Sequence, residues 1–123
     1  MRTALLALAA AFDLAMAIGQ ALGTAVPGGR AQRGQLDAAS RAVRQSLHLS
    51  LGFLLGIGAL LASHAALTGP PDGNGRLALA AFGCFWLFRA ILQVLYWGLR
   101  ERASLGWACT LVLASALHLL PLL

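Results

Sequence analysis

Residues 82–100 read FGCFWLFRAILQVLYWGLR. The stretch is apolar enough to cross a bilayer, yet Arg89 stands near its centre, with Gln93, Tyr96 and Arg100 further along. At 100° per residue, the steps from Arg89 to those three positions return to within roughly 40° of it, so the polar groups form one stripe. A charge in such a helix needs partners, and the rest of the chain can be read for them.

With 59% hydrophobic and 11% charged residues in 123, and a mean hydropathy of +0.78, the chain is too apolar for an ordinary water-soluble domain. The composition and length indicate a single all-α membrane domain of four spans, each of ~20 residues. Its net charge of +5 comes from arginine alone, because there is no lysine. These arginines cluster beside apolar spans, so orientation and anionic lipid account for them better than nucleic acid does. The bias toward Ala, Gly, Leu and Arg points to a GC-rich bacterial genome and hence to a bacterial inner membrane. Cys84 and Cys109 fall at different depths on different spans and read as small apolar residues rather than a disulfide.

In chain order, the first span covers about 3–26. It is weakly hydrophobic: roughly eight Leu, Ile, Val or Phe residues barely offset the ~3 kcal/mol cost of a central Asp13. The span therefore depends on a neighbour. Its other polar residues, Gln20 and Thr24, share a face with Asp13. The apolar run before Asp13 is short, as in a signal peptide, but the stretch reads better as a retained span.

A basic segment, 27–46, begins with Pro-Gly-Gly and then gains helical periodicity. It reads as an interfacial helix or as an extension of the second span. That span covers about 47–67 and carries a small-residue face of Gly52, Gly56, Ala59 and Ser63, suited to close helix approach. The turn-rich TGPPDGNGR at 68–76 separates it from the third span, about 77–99. A short link leads to the fourth, about 104–122, with Ser104 as its expected N-cap.

The links after spans one and three hold Arg30, Arg33, Arg41, Arg44, Arg100 and Arg102, while the other side has Arg2 and Arg76. The positive-inside rule then places both termini outside the cytoplasm and these six arginines against anionic lipid. Spans one and three run parallel, and counting residues brings Asp13 and Arg89 to similar depth, ~15 and ~18 Å from the outer surface. The expected site is an Asp13–Arg89 pair that continues inward as a seam through Gln20, His48, Gln93 and Tyr96. Such a seam either fixes helix pairing and register or serves protons or a polar headgroup.

His64 and His118 form a second constellation, in the outer third of spans two and four, where facing imidazoles would ligate haem b. Interfacial or hydrogen-bonded histidines are the competing interpretation. The sequence has no CxxC, HExxH, GxSxG or phosphate-binding glycine loop, and only four acids, Asp13, Asp37, Asp72 and Glu101. No enzymatic centre, resident metal or cofactor is expected on this basis, with haem or quinone the exception those histidines leave open.

Arg44-Gln45 before His48, together with Phe85-Trp86, Arg89, Gln93 and Tyr96, resembles a loosely defined group of small bacterial four-span membrane proteins with an FWxxRxxxQxxY third helix. The resemblance covers about 44–102 and leaves out the first span and Asp13. It implies the four-span fold and carries no activity. The functional expectation is a non-enzymatic accessory or assembly subunit of a larger membrane complex. Alternatives are a homo-oligomeric transporter or proton pathway through Asp13 and Arg89, and a haem- or quinone-binding electron carrier.

Overall fold

A computed structural model describes residues 1–23, 38–98 and 102–123, with backbone alone at 38–41 and 97. Four α-helices make up these segments: α1 (Arg2–Gly23), α2 (Ala38–Thr68), α3 (Gly73–Trp97) and α4 (Arg102–Leu119), followed by a 3₁₀ turn, Leu120–Leu122. All four are long and apolar enough to cross a membrane, and the protein is an integral membrane four-helix bundle.

The boundaries follow from local chemistry. Gly69, at φ 99°, ends α2 in the left-handed region that favours glycine, and Pro70 and Pro71 follow. Asp72 then caps α3, its Oδ1 accepting from the Gly75 amide at 2.7 Å. That cap lets α3 begin four residues before the start read from hydropathy. Gly98, at φ 67°, ends the helix and donates its amide to the Val94 carbonyl. Ser104 does not cap the start of α4, which begins at Arg102. Its hydroxyl donates to the Gly98 carbonyl and accepts from Gln93 Nε2, at 3.1 Å, tying the end of α3 to the start of α4.

Each helix buries a stripe that repeats every three to four residues. On α1 it is Leu6, Ala9, Ala10 and Asp13; on α2, Leu55, Gly58, Ala59, Ala62 and Ala65. On α3 it is Leu79, Phe82, Gly83, Trp86 and Ala90; on α4, Ser104, Ala108, Leu111, Ser115 and His118. A mean spacing near 3.5 residues is the pattern of helices packed side by side at shallow angles. The helices α1 and α2 pair extensively, as do α3 and α4, and the two hairpins join with α1 beside α4 and α2 beside α3. Small residues permit the approach: a Cβ at Gly52 would lie 3.3 Å from the Ala17 carbonyl oxygen.

The perimeter is apolar. Leu14, Ile18, Phe53, Leu60, Phe88, Leu95, Trp107 and Leu113 all face outward, a surface that water would penalise and lipid accepts. Both cysteines are free and lie on that surface. The helix α2 is continuous over 31 residues, ~46 Å by helical rise against a hydrocarbon core of ~30 Å. Residues 38–46 therefore continue the helix of the second span, whereas 27–37 lie outside the described residues.

Candidate functional site

The polar centre is built around Asp13, on the buried stripe of α1 and wholly inaccessible. All four helices converge on its carboxylate. From α3, Trp86 Nε1 donates to Oδ1 at 2.9 Å; from α4, His118 Nε2 lies 3.0 Å from Oδ2. From α2, Gly58 leaves the space they occupy, since a Cβ there would stand 2.6 Å from Oδ2 and 2.5 Å from Phe82 Cε1. A side chain at that position would displace the carboxylate or the ring.

Apolar and aromatic groups enclose the cluster. Phe12 and Phe85 each meet Trp86 edge-on, with ring centroids 5.1 Å apart, and Phe82 stacks against the His118 imidazole at 6.1 Å. One turn from His118, Ser115 donates to the Gly83 carbonyl at 2.8 Å and fixes α4 against α3. Water has no access to Asp13 or His118, so their hydrogen bonds to each other and to Trp86 are what make their burial tolerable.

The hydrogen bonds also locate the protons. His118 Nδ1 lies 2.9 Å from the Ala114 carbonyl oxygen, which can only accept, so Nδ1 carries a hydrogen. The contact between Nε2 and Asp13 Oδ2 is then a hydrogen bond only when one further proton lies on it. That proton sits on nitrogen as an imidazolium–carboxylate pair or on oxygen as a neutral pair. In either form the cluster as a whole is uncharged, which suits the interior of a membrane bundle.

No family model, curated protein or solved structure matches the chain.

The geometry around Asp13 corrects the pairing inferred from depth. Arg89 does not meet Asp13: it lies on the exposed side of α3 and has no hydrogen-bond or ion-pair partner among the described residues. It stands roughly 80° from the midline of the buried α3 stripe, at 100° per residue, so Trp86 reaches the carboxylate instead. The seam is likewise not continuous. Gln20 and His48 hydrogen-bond to each other between α1 and α2, through Oε1 and Nδ1. Gln93 is bound to Ser104, and Tyr96 is exposed and engages a neighbour. These are separate pairs nearer the arginine-rich end.

The two histidines of the proposed haem site also part company. His118 is in the core with both ring nitrogens facing protein acceptors, whereas His64 is exposed and lines a surface pocket with Thr68, Pro71 and Asp72. Axial ligation by both would require the Asp13 contact to break. Of the basic residues assigned to lipid, Arg44 and Arg102 are exposed on their helices. Arg30, Arg33 and Arg100, and the side chain of Arg41, lie outside the described residues. The sequence reading missed Trp86 as the donor to Asp13. The available signal was its place on the spacing 79, 82, 86, 90, which marks the inward face of α3.

Proposed function

We propose that the protein is a small, non-enzymatic integral membrane subunit that packs against another membrane chain through the outward face of α3. The observation that supports this most is the exposure of Arg89 within a span whose other outward residues include Phe88, Ile91 and Leu95. The buried polar residues Asp13, Ser104, Ser115 and His118 are all engaged in hydrogen bonds within the bundle, so its outward surface is what they leave to a partner. The resemblance to four-span bacterial proteins rests on this same helix, in FWxxRxxxQxxY, and agrees with a bacterial inner membrane. By the distribution of arginines, both termini face away from the cytoplasm, and the overhanging start of α2 with its exposed Arg44 lies in the cytoplasm beside anionic lipid.

The test is purification from the native membrane in mild detergent. The tagged protein is expected to carry a second membrane chain in fixed ratio. The double variant Phe88→Ala, Arg89→Ala should lose that chain while its helical content stays unchanged. A protein that purifies alone, or only as multiples of itself, sinks the proposal.

A second reading draws on the proton shared by Asp13 and His118. It makes the bundle a proton pathway in which His118 takes the place first given to Arg89. Proton flux into liposomes carrying the pure protein, abolished by His118→Leu, would put this reading first. Liposomes no leakier than protein-free controls dismiss it.

A further inference from the structure

We propose that the α3 face around Arg89 receives a membrane helix of a different protein, and that this helix presents a carboxylate at the level of Arg89. The inference rests on the subunit reading above and adds the chemistry of the partner.

Depth and direction carry the argument. The membrane-crossing part of α3 is Gly73–Tyr96, and Arg89 lies seven residues before its arginine-rich end, ~10 Å by helical rise. A hydrocarbon core of ~30 Å centred on this ~36 Å segment leaves the Arg89 backbone well inside the boundary. Side chains on a helix lean toward its N-terminus. On α3 that lean carries Arg89 toward the bilayer midplane, away from the nearer headgroups. The guanidinium reaches those headgroups only by turning back against the lean. A carboxylate on an adjacent helix meets it where it stands, with two parallel hydrogen bonds and charge neutralised.

The chain itself cannot supply that group within a span. Asp13 is spent on Trp86 and His118, and Asp72 is the cap of α3, bonded to Gly75. By sequence, Asp37 and Glu101 fall outside the four apolar spans. A second copy therefore brings no free intramembrane carboxylate, and the complementary helix belongs to another chain. One turn from Arg89 on α3 stand Phe85, Leu92 and Gln93, all half-buried, with the exposed Tyr96 beyond them; Phe88 and Leu95, 58% and 73% exposed, lie roughly 100° and 120° around the helix and widen the outward surface with apolar area.

The test uses labelled synthetic helices in vesicles of zwitterionic phosphatidylcholine containing the purified protein. One peptide is a 21-residue Leu-Ala span with a single Glu placed eight residues from one end; the control has Gln there. Energy transfer is expected to show the Glu peptide binding on the order of tenfold more tightly than the Gln peptide. The preference should vanish in Arg89→Gln and fall in Arg89→Lys, which keeps the charge but not the paired donors. Equal binding of the two peptides, or a preference that survives Arg89→Gln, overturns the proposal. So does full retention in Arg89→Lys together with loss of the preference when anionic phosphatidylglycerol is added, since Arg89 would then be serving headgroups. A Glu preference in vesicles without any co-purifying chain from native membranes would uphold this inference and defeat the subunit reading. A co-purifying chain whose binding ignores Arg89 would do the opposite.

Discussion

Asp13 and Arg89 are both ionisable residues well inside a span, on helices that run in the same direction, and they have opposite fates. Asp13 lies on the inward stripe of α1, wholly buried, with Trp86 and His118 on its oxygens. Arg89 is off the inward stripe of α3, exposed, and without a partner among the described residues. Depth sets what a charge costs in a bilayer, but its position around the helix decides who compensates it. An inward charge is compensated by the chain itself; an outward one is left to lipid or to another chain.

That contrast can be broken or sharpened by measurement. The largest effect is expected at Asp13: replacement by Leu leaves Trp86 Nε1 and His118 Nε2 unpaired in the core, at a cost of ~3–5 kcal/mol, seen as lost folded yield in mild detergent. Asp13→Asn should cost only ~1 kcal/mol, because the amide can accept from Trp86 and donate to a neutral His118. If Asn is as damaging as Leu, the negative charge matters in itself and the neutral form of the pair is excluded.

Next comes Gly58. A Val there meets Asp13 and Phe82 and should destabilise by ~1–3 kcal/mol in thermal unfolding. Gly56→Ala, which has nothing within 4 Å of the added Cβ, should be close to neutral. Equal effects at the two glycines would mean that the carboxylate does not sit where α2 makes room for it.

Double-mutant cycles address the pairing directly. Asp13→Leu with His118→Leu should show a coupling of ~1–3 kcal/mol, whereas Asp13→Leu with Arg89→Gln should be additive within ~0.5 kcal/mol. Strong coupling in the second cycle would restore the pair that residue counting suggests. The smallest effect is Arg89→Gln alone, within ~0.5 kcal/mol for the isolated protein in detergent. A large loss there would show that Arg89 supports this chain and not an interface.

Much of the architecture was legible in the sequence. Four apolar runs, the breakers at Gly69 to Asp72 and the tight link near Gly98 mark out the four helices, although α2 starts at Ala38, nine residues before the span read from hydropathy. Asp13 was legible as the central polar group, although its span, expected to be weakly hydrophobic, has a mean hydropathy of 1.9, no lower than the other three. The identity of the neighbours of Asp13 was not. Counting residues from flush helix ends puts His118 much nearer the surface than Asp13. The count omits two things: α4 ends early and is closed by the 3₁₀ turn, whose Leu122 carbonyl accepts from Arg76. It also omits side-chain lean. Helices α1 and α4 are antiparallel, so Asp13 and His118 lean toward each other, while Asp13 and Arg89 lean the same way. Polar residues were also weighted above aromatic ones, which hid Trp86, whose indole combines apolar bulk with a single donor.

The convergence on Asp13 bears on how the protein is made. The carboxylate precedes its partners along the chain: its indole donor follows 73 positions later and its imidazole 105 positions later. While the ribosome is still producing α2, the nascent α1 holds an acidic group with none of its eventual partners in existence. Until α3 and α4 emerge, α1 bears the cost of a polar group in lipid without the hydrogen bonds that offset it. Because α4 supplies His118, this bundle cannot be completed progressively from the α1–α2 hairpin; translation has to pass the end of α4 before α1 is fully at home in the membrane.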